Sequence, residues 1–185
     1  CRLLPSNQGP GFFAVGRFDR PPGVGHPRLH AHTLAGLLHA DHRLPSLDYD
    51  ALLRATLHVT RDHREVEAAF RYMVFNVLAC NRDDHGKQFS FLMDASGKWR
   101  LAPAYDLTFS EGPGGEHSTS IAGQGRNPRL EHILALGKTA SIAQPHAVFD
   151  EIQSVVARWP EFAGQAGVTR SSRLRIGERL AAISA

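Results

Sequence analysis

Apolar residues recur at three-and-four spacing through residues 62–80, where Val66, Ala69, Phe70, Met73, Val74, Val77 and Leu78 share one face and predict a core helix. Shorter helices are predicted over 33–40 with Thr33 as cap, at Ser46 with 49–57, from Asn127-Pro128 through 136, over 148–159 and over 171–183. Two β-rich pieces, 89–93 and 99–101, flank Asp94-Ala95-Ser96-Gly97-Lys98 and predict a hairpin with a glycine-containing turn. Residues 1–4 and 12–18, around Asn7-Gln8-Gly9-Pro10-Gly11, predict a second hairpin. A two-stranded hairpin alone is marginal in water, so this one reads as part of a larger sheet, and the natural polypeptide is expected to extend further at its N-terminus. Pro21-Pro22-Gly23-Val24-Gly25 has the composition of a connector, which places a domain junction there.

The chain's 185 residues are enough for one domain with a substantial core. No run approaches the roughly 18 apolar residues of a membrane span, and the start has no signal-peptide pattern, so no membrane association and a cytoplasmic location are expected. Cys1 and Cys80 offer no disulfide framework; Cys80 ends an apolar helix, where a buried thiol is expected. The net charge of +3 points weakly to acidic partners. Arg170, Arg173, Arg175 and Arg179 alternate with Leu174, Ile176 and Leu180, the pattern of a solvated helix face. The glycine-rich stretches at 112–115 and 123–125 lack the Gly-Lys-Ser/Thr ending of a phosphate loop and read as flexible turns.

Chemistry concentrates in Asn81-Arg82-Asp83-Asp84-His85-Gly86-Lys87-Gln88, a charged loop between the long helix and the hairpin, and in Leu101-Ala102-Pro103-Ala104-Tyr105-Asp106 just after it. Phosphoryl transfer needs a carboxylate that orients the acceptor, oxygen ligands for magnesium and positive charge near the transferring group. Asp83 opens the loop as the candidate base and Gln88 lies five positions on, the spacing of the kinase catalytic aspartate and its metal-binding asparagine. Asp106 stands where a kinase has the metal aspartate of Asp-Phe-Gly, with Leu107 in place of the phenylalanine. Lys87 is placed to neutralise the transferring phosphoryl group.

Four segments in order carry a resemblance: Arg17-Phe18-Asp19-Arg20, the 83–88 loop, 101–106, and Gly115-Glu116-His117 through Asn127-Pro128. Over residues 17–127 the chain resembles the C-terminal part of HipA-family serine/threonine kinases, the toxins of bacterial toxin–antitoxin pairs. The resemblance implies an α+β, mainly helical fold: a protein-kinase-like large lobe over 21–185, with the end of the small-lobe sheet and the hinge over 1–20. It implies ATP and Mg2+ as cofactors, Asp83 as catalytic aspartate and Asp106 as metal aspartate. The family loop reads Asp-x-His-x-Lys-Asn, so Gln88 departs from the usual asparagine. Family partners include a protein substrate such as an aminoacyl-tRNA synthetase and a HipB-like helix-turn-helix antitoxin, with DNA reached only through the latter. The phosphate-covering loop and ATP-binding lysine of such kinases belong to the small lobe, before this sequence starts, so the chain by itself is expected to be inactive.

Other readings attach to the same residues. His85, a catalytic-loop residue, offers a general base or a metal ligand, and is read above these as a structural histidine whose imidazole hydrogen-bonds and orders the loop. Phe18, at the expected hinge, either contacts an adenine or packs. Asp84 is read as solvent-facing, Glu116 as a loop salt-bridge partner and His117 as a surface histidine. The rival enzyme is a metal-dependent phosphohydrolase, with Asp83, Asp84, His85, Asp106 and His117 around two metals. The rival without catalysis is a pseudokinase or docking subunit weakened at Gln88.

Overall fold

The computed structural model describes residues 1–9, 11–23, 28–41 and 46–184. It is an α+β structure of small sheets and seven α-helices among those residues. Helix α3 (His63–Leu78) is its centre. Asp62 caps it by accepting from Arg64 N at 3.0 Å, and the predicted stripe is buried along its length. The helix stops at Cys80, whose left-handed backbone (φ 52°) lets Asn81 N–H return to the Asn76 carbonyl at 2.8 Å. The Cys80 thiol is enclosed and its pKa is raised by that burial.

Around α3 pack α2 (Tyr49–Thr60), α4 (Leu130–Thr139), α5 (Pro145–Val156) and α7 (Arg170–Ser184), with α1 (Leu34–Leu37) and α6 (Trp159–Gln165) as short additions. Thr33 caps α1 as expected, accepting from Gly36 N at 3.1 Å. The cap of α2 is Asp48 rather than Ser46, because Asp48 directly precedes the first turn and accepts from Asp50 N at 2.9 Å.

The predicted hairpin is present as β5 (Ser90–Met93) and β6 (Trp99–Leu101). A strand that the pattern did not predict, β3 (His30–Thr33), pairs antiparallel with β5 and makes a three-stranded sheet ordered β3-β5-β6. The short strands β4 (Leu47–Asp48) and β7 (Thr119–Ser120) pair in parallel and tie the start of α2 to the segment after the glycine-rich turn. The N-terminal hairpin, β1 (Arg2–Leu4) with β2 (Phe12–Ala14), is shorter than expected; beyond Ala14 the chain leaves the ladder and turns at Arg17-Phe18-Asp19-Arg20. Its apolar residues face water, Phe12 at 65% and Phe13 at 73% exposure. Part of the expected connector, 24–25, lies outside the described residues.

The Asp62 cap gives the first testable consequence. Its hydrogen bonds from the Arg64 side chain pull the carboxyl down to about 2, below the ordinary 3.8. A carboxyl depressed in the folded state stabilises above its unfolded value and loses that contribution as pH falls through the folded one. Asp62→Ala should therefore lower the Tm by a few degrees at neutral pH, with the difference from the parent chain shrinking between pH 4 and pH 2 in a thermal melt series.

Candidate functional site

The loop 81–88 is held on both sides by backbone. Arg82 N donates to the Ser110 carbonyl at 3.1 Å, Ser110 N to the Cys80 carbonyl at 2.8 Å, and Ser118 N to the Arg82 carbonyl at 3.1 Å. The two adjacent aspartates then meet opposite environments. The Asp83 side chain is 50% exposed, with His85 Nε2 4.0 Å from its Oδ1. Asp84 is completely enclosed.

Every lone-pair direction of Asp84 is taken. Its Oδ2 accepts from the Tyr49 hydroxyl at 2.8 Å and from His117 Nδ1 at 2.8 Å; its Oδ1 accepts from Ser118 N at 2.8 Å and Thr119 N at 3.3 Å. The Thr119 hydroxyl donates to the Asp84 carbonyl. Behind this cluster Asn76 Nδ2 donates to the Tyr49 oxygen at 2.9 Å, and Asn81 Nδ2 to Asn76 Oδ1 at 3.0 Å. Burial, with the neighbouring Asp84 charge adding to it, pushes the Tyr49 phenol well above its ordinary pKa, so Tyr49 stays a donor to the carboxylate. The expectations of a solvent-facing Asp84 and a surface His117 are thus corrected: both are buried and paired, because α2, α3 and β7 converge on the loop and supply donors from distant parts of the sequence. Glu116 is a loop salt-bridge partner as expected, with Arg126 at 3.0 Å.

The second half of the site is joined across 18 positions of sequence. Gln88, buried at the start of the sheet, donates its Nε2 to Asp106 Oδ2 at 2.7 Å. Asp106 is exposed and holds a left-handed backbone (φ 54°), an uncommon state for a residue with a Cβ and one that aspartate tolerates better than most. Tyr105 fixes its approach: the Tyr105 hydroxyl donates to the Lys87 carbonyl and shares a 2.7 Å hydrogen bond with Ser90 Oγ, while the Tyr72 hydroxyl donates to the Tyr105 carbonyl at 3.0 Å. The Phe18 ring lies 5.4 Å from that of Tyr105, centroid to centroid, so Phe18 packs beside the same cluster. The Lys87 side chain is exposed.

The sequence profile of the HipA-like C-terminal domain matches residues 1–159. The chain belongs to the HipA-like C-terminal domain family. A search of the curated proteins finds no match for it. Among solved structures it is similar to HipA of Shewanella oneidensis MR-1, determined in complex with HipB and operator DNA, at TM-score 0.70 and 17% identity over 91% of this chain. At that identity the likeness is one of fold. The chain spans 46% of the length of that HipA, about half.

Within this HipA-like domain the residues of the binuclear rival do not converge. Asp84 and His117 are sealed together, Asp106 pairs with Gln88, and among the described residues no three His, Cys, Asp or Glu side chains are grouped to hold a metal ion. Sequence reasoning missed the Tyr49, Asn76 and Asp84 chain. The one signal was Asn76, a polar residue amid the buried Met73, Val74 and Val77 of α3. It also missed Tyr105, whose place directly before Asp106 gave no clue to its contacts with Lys87 and Ser90.

Gly112 supports the loop from outside. Its φ of 70° suits glycine, and an added Cβ would stand 2.1 Å from the Glu116 carbonyl oxygen and 2.8 Å from Arg82 Cβ. Gly112→Ala is expected to destabilise by at least about 1–3 kcal/mol from backbone strain alone. Urea unfolding would read this as a lower midpoint at unchanged slope.

Proposed function

We propose that this HipA-like domain is the large-lobe part of an ATP-dependent serine/threonine protein kinase of the HipA toxin type, with residues 1–20 as the end of the small-lobe sheet and the hinge. The observation that carries the reading is the 2.7 Å hydrogen bond between Gln88 and Asp106, which joins the loop of Asp83 to the aspartate after the hairpin. Asp83 accepts the proton of the acceptor hydroxyl; it is the open member of the Asp83-Asp84 pair, whereas Asp84 has no lone pair left for a substrate. Asp84 instead holds the loop, through Tyr49 and His117, so that Asp83 keeps its direction. Lys87 supplies positive charge toward the phosphoryl group. Phe18 and Tyr105 form an aromatic pair at the hinge, suited to an adenine edge.

The residue types fit a magnesium ion: the Asp106 carboxylate and the amide oxygen of Gln88, on side chains joined through Gln88 Nε2 and Asp106 Oδ2, are the hard oxygen ligands that Mg2+ uses with water and phosphate. When bound, magnesium neutralises charge on the phosphate oxygens. Protein partners follow the same reading: an acceptor protein, an aminoacyl-tRNA synthetase among the candidates, and a HipB-like antitoxin through which DNA is approached.

Gln88 itself favours a second reading, a pseudokinase, since it presents its amide nitrogen to Asp106 and occupies one carboxylate oxygen. Gln88→Asn separates the two. With the full-length polypeptide that carries this chain, labelled ATP and Mg2+, the kinase reading expects transfer by the parent protein, and the shorter side chain to change its magnesium requirement. A parent without transfer that gains it through Gln88→Asn would establish the weakened form. Release of free phosphate driven by zinc or manganese, with no labelled protein, would contradict both.

A further inference from the structure

Beside the loop, between the first turn of α4, α5 and α7, lies a cavity of about 750 Å³. None of Asp83, His85, Lys87, Gln88 and Asp106 lines it. Its polar wall carries three arginines, Arg82, Arg129 and Arg179, against one carboxylate, Asp150, and His117 also borders it. The lining thus carries a surplus of two positive charges before the histidine is considered. The start of α4 opens onto the same space through Arg129 and Leu130, adding the positive end of a helix dipole.

Two guanidinium groups there have unused donors. Arg82 is only 4% exposed; its Nη1 donates to the Gly115 carbonyl and its Nη2 to the Arg126 carbonyl at 3.1 Å, yet its buried Nε has no hydrogen-bond partner. Arg179 Nε is likewise buried without a hydrogen bond, with Glu111 Oε1 at 3.9 Å. A buried N–H without an acceptor is costly; both Nε atoms are enclosed, so it is the positive charge of the guanidinium groups, not these N–H groups, that reaches the cavity. The other walls are apolar, with Ile133, Phe149 and Ile183. The volume falls within the range of about 300–1,000 Å³ usual for small-molecule sites.

We propose that this cavity binds a phosphate-bearing small molecule of nucleoside monophosphate size, its phosphate on the arginines and its flat part against Phe149. The site is separate from the proposed phosphoryl-transfer site and does not rest on that reading. It is coupled to the catalytic loop, because Arg82 directly precedes Asp83 and His117 holds Asp84. Bound phosphate is held by the positive charge of the lining arginines and stiffens the loop to which Arg82 belongs.

The test is calorimetric titration of the 185-residue chain with AMP in magnesium-free buffer, beside inorganic phosphate and adenosine as separate probes. Arg129 and Arg179 reach solvent, so Arg129→Gln and Arg179→Gln should keep the fold, checked by circular dichroism. Saturable AMP binding that each variant weakens about tenfold, that inorganic phosphate competes with and that adenosine fails to reproduce is the expected result. Asp106→Asn should leave this binding unchanged. Binding indifferent to both arginine variants, binding lost in Asp106→Asn instead, or no saturable binding at millimolar AMP would each overturn the proposal.

Discussion

Asp84→Ala is expected to lower the Tm by about 10 °C or more. Four donors lose a partner at once: the Tyr49 hydroxyl, His117 Nδ1 and the backbone N–H groups of Ser118 and Thr119, of which Ser118 N keeps its bond to the Arg82 carbonyl. Removing one side of a buried, fully hydrogen-bonded charge costs about 3–5 kcal/mol, and in a chain of this size each kcal/mol shifts Tm by roughly 2–4 °C. Asp84→Asn should cost less, since its amide oxygen still accepts from Ser118 and Thr119 while only the side toward Tyr49 and His117 must rearrange. Scanning calorimetry on the three proteins checks the order parent, Asn, Ala. An Asp84→Ala variant as stable as the parent would mean that the cluster is not the support of the loop.

The second large effect concerns Asp106. Asp106→Asn keeps the size of the side chain and its neighbourhood with Gln88, but removes the negative charge on which the proposed metal depends. Phosphoryl transfer by the full-length polypeptide should fall by about a hundredfold or more, the scale on which one electrostatic stabiliser of a transition state is felt. The exposed position of Asp106 means that stability should hardly change, so unaltered thermal melting alongside lost transfer distinguishes a chemical role from a structural one. Retained transfer at ordinary magnesium would remove Asp106 from the site.

The helical core was legible in the sequence because its signal is local. The α3 stripe, the Thr33 cap and the β5-β6 hairpin each follow from residues within a few positions of one another. Strand β3 was not legible: His-Ala-His-Thr has no apolar alternation, and its strand character comes from pairing with Ser90–Met93 some 60 positions away. Helix α6 was hidden by Pro160 and Gly164, residues that usually break a helix, although proline is tolerated in the first turn where it stands. The same distinction divides the site. The spacing of Asp83, Gln88 and Asp106 can be read along the chain, and the structure brings the last two together. The environments of Asp83 and Asp84 cannot be so read, because neighbouring residues of one type are separated only by donors from Tyr49, His117, Ser118 and Thr119, two of them backbone groups that leave no mark in a sequence.

The most direct test of the central claim is transfer of labelled phosphate from ATP and Mg2+ by the full-length polypeptide, compared with its Asp83→Asn variant. Incorporation into protein that Asp83→Asn reduces by about 10²–10⁴-fold, with ATP binding and folding intact, is the predicted result. Undiminished transfer by Asp83→Asn would contradict the account, since the open aspartate of the pair would then not be the base.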